Sequence, residues 1–497
     1  MKKFVLTTVI AAGSVFASFS ASAQEIVEAA AEEAPVVITL EQALEIALSE
    51  NVSVKVADME IKRTEYAKKG TYASLFPQID ASGSYQRTIK KQVMYMDFDM
   101  GSLGGMGGGA GTGSGEGESG GTTTPTLPEG STTPEAGSGS SSSSNNGGGL
   151  EVGRWNTWSA SVSASMPLVN AQLWKSLTLS GLDVELAVEK ARSSRLDMVT
   201  QVKNSYFSIL LAKEAFEVYK QVYENAVRNL EDTQMKYDFQ KASDVELLSA
   251  KTSVANAIPN VYNAESSVIL ALWQFKAVLG VDLDMNLDVA GKLEDYAEHM
   301  FYDIHQHDSV SLDRNTTMKQ LAIQAEMLAE TIKLQKYATL PSLAVAFNYS
   351  INAMTNDFNF SEYRWTPYAF VGLSLNIPIF AGGKRYNQIR QAKNQYEQVK
   401  LQTVNTERQL KIAIRQSLAT METNMKSYYA ANDAVLTAQK AYDIAQASYK
   451  VGRSTLVELN NAQLQLTQSQ LAASQAIHSF LTAKTQLEQT LGQDFVE

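Results

Sequence analysis

The 497-residue sequence contains no cysteine. Disulfide bonds are therefore excluded, and so is a lipid anchor on an N-terminal cysteine. Positive charge is also scarce, because 42 Lys and Arg stand against 53 Asp and Glu, for a formal net charge of −11. A nucleic-acid partner needs a basic face and is not expected. Beyond the N-terminus, no segment offers the roughly 18 consecutive apolar residues that define a transmembrane helix.

Residues 1–23 have the features of a secretory signal peptide. Two lysines precede an apolar run from Phe4 to Phe19, and Ala21–Ala23 forms an A-x-A cleavage site. Cleavage removes both lysines and changes the formal charge from −11 to −13. We expect an exported protein whose mature chain begins at Gln24, with a flexible Ala- and Glu-rich lead-in over 24–35.

Helical periodicity dominates the mature chain. A first helical stretch runs from about Leu40 to Leu75 and stops before a proline. The later predicted helices cover residues 171–239, 244–279, 315–340, 384–449 and 456–491. The longest is roughly 100 Å at 1.5 Å per residue. Such lengths, with thin apolar stripes and no compact domain between them, favour coiled-coil packing.

Four segments alternate apolar residues with small or polar ones, as half-buried strands do. The predicted strands cover residues 78–96, 155–168, 342–353 and 365–380. In the second, Trp158, Val162 and Met166 share one face while serines occupy the other. This pattern is typical of transmembrane barrel strands, and aromatic residues near the strand ends suit a membrane interface. A soluble sandwich is the alternative, but it does not explain the long helices.

Each predicted strand has a proline at the end that faces a helix: Pro77, Pro167, Pro341 and Pro378. The two connections between strands therefore lie at the opposite end. One is residues 97–150, which hold 18 of the 30 glycines and a serine run. That composition predicts a disordered loop, since it cannot bury enough apolar surface to fold. The other connection, about 354–364, is short.

The chain contains two internal repeats, residues 36–292 and 315–495, joined by a segment over 293–314. Tyr237–Ala250 resembles Tyr449–Ala462, which lies 212 positions later. Each repeat reads helix, strand, loop, strand, long helix, turn, helix. Duplication of this kind is itself evidence of architecture.

Four pieces of sequence together resemble the TolC family of outer-membrane efflux proteins, over about residues 36–495. They are Thr39–Asn51, the Leu-Phe-Pro step ending at Pro77, Ile377–Lys384 and Tyr449–Leu459. The resemblance implies an α+β membrane protein: a homotrimeric, 12-stranded transmembrane β-barrel, four strands per chain, continuous with a periplasmic α-helical coiled-coil barrel.

The resemblance also implies partners and a location. A periplasmic adaptor (membrane fusion) protein and an inner-membrane pump would dock to the helices, and outer-membrane lipid would surround the barrel. Loop 97–150 would then be extracellular, and it is longer than is usual for the family. The family often has two acidic gate positions on the last helix. Here the first is Glu458 but the second is Asn461, so a double ring of charge is not expected.

Glu246 and Glu458 are the candidate gate residues, one in each repeat. Ser243-x-x-Glu246 and Thr455-x-x-Glu458 both match the helix capping box, in which the glutamate bonds back to a free backbone N–H. Capping explains the glutamates without further function, whereas the gate hypothesis places them at a closed tunnel tip; both can hold. Five residues earlier stand Lys241 and Arg453, the candidate cationic partners.

Motifs for catalysis, cofactors or metals are weak. Gly115–Gly120 fits a dinucleotide-binding pattern by letter only, because no strand precedes it and no helix follows. Gly382 and Gly383 before Lys384 predict a tight strand-to-helix turn, since a phosphate loop would need another glycine and a Ser or Thr. The cluster His299, His305 and His307 could bind a transition metal but fits no fixed spacing, and a solvated segment is the better interpretation.

The sequence therefore predicts a channel without enzymatic activity or cofactor: the exit duct of a tripartite efflux or type I secretion system. Drugs, metals and proteins remain alternative substrates for export. The rival from another class is a surface-exposed structural coiled coil or adhesin, with the Gly/Ser segment as a stalk.

Overall fold

The computed structural model describes residues 36–95, 149–300 and 311–493. The predicted signal sequence, the segment 24–35, nearly all of loop 97–150, and His305 and His307 lie outside these ranges. The helices are α1 (Leu40–Glu50), α2 (Val52–Ala73), α3 (Ala171–Asp238), α4 (Asp244–Leu279), α5 (Thr316–Tyr337), α6 (Lys384–Lys450) and α7 (Leu456–Leu491). The strands are β1 (Val36–Ile38), β2 (Gln78–Arg87), β3 (Gln92–Tyr95), β4 (Gly149–Val152), β5 (Asn156–Val169), β6 (Leu287–Val289), β7 (Ser342–Thr355) and β8 (Thr366–Asn376).

Helices α4 and α7 begin and end at the predicted residues because strong local signals mark both ends. Ser243 and Thr455 cap their first turns. Gly280 and Gly492 end them with φ of 79° and 67°, the left-handed conformation that glycine adopts without a Cβ penalty. None of the described helices combines the length and the apolar character needed to cross a membrane.

Two predicted strands are too long. The first, predicted over 78–96, ends at Arg87, and a bend separates it from β3, which pairs with β4 in a separate sheet. The fourth, predicted over 365–380, ends at Asn376. Pro378 explains this ending, because it has no N–H for a ladder and restricts the residue before it.

The chain divides into two compact units, and the first contains α1 to α7. Its largest core joins Phe207 of α3, Phe275 of α4 and Phe480 of α7, each at most 4% exposed. The short strands β1 and β6 pair in parallel, and their Ile38 and Leu287 enter the same core. Aromatic packing therefore holds α3, α4 and α7 to one another, with Phe275 near the C-terminal end of α4.

Two asparagines tie the starts of α2 and α5 to the ends of other helices. Asn51 Nδ2 donates to the Val278 carbonyl at 2.7 Å, and Asn315 Nδ2 donates to the Thr490 carbonyl at 2.7 Å. Each asparagine also accepts a backbone N–H in its own helix through Oδ1. At Gly492, a Cβ would lie 2.3 Å from the Arg314 carbonyl oxygen, so only glycine fits this close approach.

The second unit contains a four-stranded sheet in the order β2-β5-β7-β8. Strands β2 and β5 are antiparallel, with Tyr85 opposite Trp158. On the other face, Ser82 and Ser161 hydroxyls lie 2.8 Å apart, and those of Ser84 and Ser159 lie 2.6 Å apart. The predicted division into an apolar face and a hydroxyl face is present. Within the described residues, the outer edges of β2 and β8 have no strand partner.

Replacing Gln240 should test strain in the α3–α4 turn. Gln240 has a φ of 56°, and it is the only positive-φ residue other than glycine in the described chain. The left-handed conformation costs an L-residue roughly 1–2 kcal/mol, and glycine avoids most of that cost. Gln240→Gly should therefore stabilise the protein by about 1 kcal/mol, seen as a higher midpoint temperature in detergent.

Gly452, with a φ of 75°, is the matched control because it stands at the same position of the α6–α7 turn. Gly452→Gln should lower the midpoint temperature by a similar amount. A Gln240→Gly protein that melts below wild type would contradict the assignment of strain.

Candidate functional site

Two turns close the long helical hairpins, and both have the predicted capping box. In the α3–α4 turn, Ser243 Oγ accepts the Glu246 N–H at 3.3 Å, and Glu246 Oε2 accepts the Ser243 N–H at 3.1 Å. In the α6–α7 turn, Thr455 and Glu458 make the same two bonds at 3.3 and 3.1 Å. Each box satisfies two backbone N–H groups that the helix itself leaves unpaired.

Glu458 accepts a further hydrogen bond that its counterpart lacks. The Ser454 hydroxyl donates to Glu458 Oε2 at 2.6 Å, whereas the first turn has Ala242 at that position. This hydroxyl, together with the Thr455 N–H, lowers the pKa of the exposed Glu458 carboxyl. Glu458 is therefore a fixed negative charge at neutral pH, on the surface of its turn.

The backbone N–H groups of the two candidate cationic residues form hydrogen bonds within the turns. The Lys241 N–H donates to the Lys236 carbonyl at 2.7 Å, and the Arg453 N–H donates to the Ser448 carbonyl at 2.8 Å. Both side chains are exposed, and in the described part of this single chain neither forms an ion pair. Asn461 is also exposed, about one turn beyond the Glu458 position on α7.

Tyr449 links the two hairpins, a role that the sequence did not reveal. Its side chain is 4% exposed, and its hydroxyl lies 2.6 Å from Thr233 Oγ1. Lys236 Nζ donates to the Tyr449 carbonyl at 2.8 Å and lies 3.9 Å from the ring centroid. Burial raises the pKa of Tyr449, and Glu246 adds to that rise, so the hydroxyl keeps its proton at neutral pH.

Tyr237 is the counterpart of Tyr449 in the first turn, yet its environment differs. It is 36% exposed, and its hydroxyl donates to Asp244 Oδ1 at 2.7 Å within its own turn. The repetition of a tyrosine at this position was the only sequence signal for the Tyr449–Thr233 contact. The neighbouring sequence does not distinguish Tyr449, which is buried between the hairpins, from Tyr237, which is not.

A small apolar cluster lies beneath these turns. Tyr449 packs with Leu456 and Leu459 at the start of α7 and with Ala250 of α4. Polar contacts between the hairpins lie alongside this cluster, which extends on α7 to Leu466. Asn460 Nδ2 donates to Ser253 Oγ at 3.0 Å, and Asn225 Nδ2 donates to Gln463 Oε1 at 3.1 Å. The hairpins therefore meet near the turns through both apolar and amide contacts.

The strand–helix junctions contain the predicted prolines and glycines. Pro77 and Pro341 each precede the first residue of a strand, at β2 and β7. Pro167 instead lies within β5, but β5 pairs with β2 only as far as Ser165, so its missing N–H does not interrupt that ladder.

Gly382 and Gly383 form the predicted tight turn before α6. Their φ values are 56° and 80°, and Gly383 is the N-cap residue. Arg385 NH1 donates to the Pro378 carbonyl at 3.0 Å and braces the turn. Among the residues that the structure describes, no group of three His, Asp or Glu side chains could hold a metal ion. The predicted histidine cluster falls mostly outside them.

The chain matches the family model described as outer membrane efflux protein over residues 124–281 and 309–493. These ranges exceed half of the sequence, so the chain belongs to this family of outer-membrane efflux channels. Outer membrane protein TolC of Vibrio cholerae serotype O1 is 20% identical over 342 residues, which cover 67% of this chain and 76% of that protein.

Solved structures show the same fold. The CmeC outer membrane channel of Campylobacter jejuni has a TM-score of 0.65 and 16% identity, covering 91% of this chain and 85% of that chain. The outer membrane protein VceC of Vibrio cholerae has a TM-score of 0.65 and 14% identity, covering 92% and 96%. The family resemblance drawn from the sequence is confirmed, and it is one of transport rather than catalysis.

Glu458→Gln should destabilise the protein in a pH-dependent manner. Because the folded pKa lies below the ordinary value of 4.5, the charged form adds stability above pH 4.5, and this stability is lost as pH falls through the folded pKa. The variant should melt below wild type at pH 7, and the difference should shrink below pH about 4. Since glutamine can serve in a capping box, the loss should be modest.

Ser454→Ala is the control, because it removes the first cause of the lowered pKa. In that background, Glu458→Gln should show a smaller pH-dependent difference. A pH-dependent difference of the same size with and without the Ser454 hydroxyl would refute the role of the Ser454 hydrogen bond.

Proposed function

We propose that this protein is the exit duct of a tripartite efflux or type I secretion system. It passively conducts substrates from a periplasmic adaptor and an inner-membrane pump to the exterior, with no catalysis and no cofactor of its own. One observation carries the proposal beyond family membership. Among the residues that the structure describes, a four-stranded sheet with two unpaired edges and an apolar face occurs together with helices of 68 and 67 residues.

The unpaired edges support a homotrimer with a 12-stranded barrel. Backbone N–H and C=O groups on an open edge cannot remain unpaired in lipid. Four strands are too few to close, whereas three chains contribute twelve, with β8 of one copy beside β2 of the next. Exposed apolar residues on β8 suit a lipid-facing surface: Val371 at 71%, Leu373 at 70% and Leu375 at 61%.

The exposed face of α4 supports the same assembly. Helical spacing places Val245, Leu248, Tyr262, Ile269 and Trp273 on one side of this helix, at exposures of 72, 62, 64, 43 and 53%. A stripe of this length would be costly in water. In the proposed trimer it packs against the neighbouring copy, and the helices enclose a periplasmic tunnel.

Internal duplication supports this arrangement as well. The hydrogen bonds from the Asn51 and Asn315 side chains to helix-end carbonyls have equal lengths, and the capping boxes of α4 and α7 have closely matching geometry. Each repeat therefore supplies one hairpin of the same construction, and a trimer holds six hairpins around its axis. We expect loop 97–150 to be extracellular in this topology.

A gate at the hairpin turns follows from the trimer. Glu246 and Glu458 occupy the same position in the two repeats, so three chains bring six carboxylates to the tip farthest from the membrane. Close like charges attract counter-cations. Lys241 and Arg453, which have no acidic partner in the described single chain, are the groups that would pair across copies and hold the tip shut. Because α7 has Asn461 at the second gate position, the proposed gate has one ring of carboxylates and not two.

A trimer should be the assembled state in mild detergent. Native mass spectrometry of the purified protein is expected to show three chains, and heating is expected to convert them to unfolded single chains. Tyr262→Glu places a charge in the α4 stripe and should shift the population towards monomer. A folded monomer that inserts into lipid would rule out the proposed duct.

Neutralising the gate carboxylates should reduce cation selectivity. Glu458→Gln is expected to lower cation selectivity and divalent block in planar bilayers, and adding Glu246→Gln should deepen the effect. Glu65→Gln, an exposed change of equal charge on α2, is the control and should leave selectivity unchanged. Unaltered selectivity in the intact double-mutant trimer would leave capping as the whole role of these residues.

A further inference from the structure

The loop edge of the four-stranded sheet carries a connected group of aromatic rings. We define the loop edge as residues 85–91, 154–158 and 354–365, at the strand ends that do not continue into helices. Tyr85 and Trp158 have ring centroids 4.3 Å apart, and Phe360 lies 5.2 Å from Trp158. The Phe358 ring lies 6.2 Å from Tyr85, so the loop rings cover the strand rings.

Hydrogen bonds fix the β7–β8 connection against the sheet. The Asp357 carbonyl accepts bonds from Asn156 Nδ2 at 3.2 Å, Thr355 Oγ1 at 2.9 Å and the Tyr363 hydroxyl at 2.9 Å. Asn156 is 2% exposed, and its Oδ1 accepts the Tyr85 hydroxyl at 2.9 Å. The rings are therefore held in place before any ligand arrives, which lowers the entropic cost of binding.

Along one face of β2, apolar residues give way to an aromatic ring and then to a cation. Tyr85 is opposite Trp158, and Arg87, two residues on, is opposite Asn156, so these side chains share a face. Ile79, on the same face, is 70% exposed. The Arg87 guanidinium lies 6.0 Å from the Phe358 ring. An apolar, aromatic, cationic order along a strand is what a lipid-to-headgroup boundary selects.

Cations outnumber carboxylates at this edge, although the whole chain has a formal charge of −11. Its cations are Arg87, Lys90, Lys91, Arg154 and Arg364. Among the described residues, none of them has a carboxylate within ion-pair distance. Lys91 Nζ instead lies 4.9 Å from the Trp155 ring, and Arg154 NH1 donates to the Met354 carbonyl at 2.9 Å. The acidic residues within the edge are Asp357 and Glu362.

We propose that the loop edge binds the phosphate groups of a phosphorylated glycolipid in the outer leaflet. The inference rests on the proposed function, in which the face of β2 that carries Ile79, Tyr85 and Arg87 is in contact with lipid. Guanidinium and ammonium groups form charge-assisted hydrogen bonds with phosphate, and aromatic rings lie at the headgroup level. Several cations on one edge suit a headgroup with more than one phosphate better than a single zwitterionic phosphate.

Lipid binding to the detergent-solubilised trimer tests the proposal, with native mass spectrometry as the readout. The probes are bisphosphorylated lipid A, dephosphorylated lipid A and phosphatidylethanolamine at equal concentrations. Wild type should bind the bisphosphorylated form at least about tenfold more tightly than either other lipid. Arg87→Gln with Lys91→Gln should weaken that binding by about 30-fold, from two lost headgroup contacts.

Lys220→Gln with Lys251→Gln is the matched control, since it removes the same charge from exposed helical positions. It should bind the bisphosphorylated lipid as wild type does. Equal affinity for the dephosphorylated lipid, displacement by an equal concentration of inorganic phosphate, or equal weakening in the control would each overturn the proposal. These outcomes leave a trimer and its cation selectivity intact, whereas failure of the proposed duct would show as a protein that does not form a membrane-inserted trimer.

Discussion

Backbone hydrogen bonding at the edges of the four-stranded sheet constrains the rest of the molecule. In water, the N–H and C=O groups along β2 and β8 could bond to solvent, but in lipid they need strand partners. The exposed apolar side chains of β8 make water the less favourable surroundings. In the proposed trimer, the sheet is completed by other copies of the same chain, and the exposed stripe on α4 packs against the same neighbours.

The contacts between the hairpins set how firmly the helices hold one another within a chain. An apolar cluster that includes Tyr449, Leu456 and Leu459 lies near the turns, amide contacts such as Asn225 with Gln463 follow, and the core that contains Phe207, Phe275 and Phe480 lies farther along the helices. Apolar packing excludes water and resists separation, whereas amide groups can exchange partners with water at little net cost. The hairpins are therefore held together at two apolar regions, and the stretch with amide contacts between them is where they can shift most easily.

Local signals made the helix ends predictable. A capping box and a glycine mark both ends of α4 and α7, and each of these lies within a few residues of the boundary it sets. Strand ends were predicted less well because alternation does not reveal a bend, as at residues 89 and 90, or the loss of a ladder before Pro378. The Tyr449–Thr233 contact joins residues 216 positions apart, and no sequence pattern specifies such a pair.

The paired serines of β2 and β5 imply how charge is distributed along the proposed duct. The face formed by Ser82, Ser84, Ser159 and Ser161 presents hydroxyl groups that bond to each other, and Asp80, two residues before Ser82 on β2, adds a carboxylate to the same face. If this face lines the pore, one Asp80 from each chain makes it negative, and a cation enters it more readily than an anion. Discrimination by charge is then shared between the sheet and the hairpin turns, so a mutation that neutralises one of them leaves the charge of the other in place.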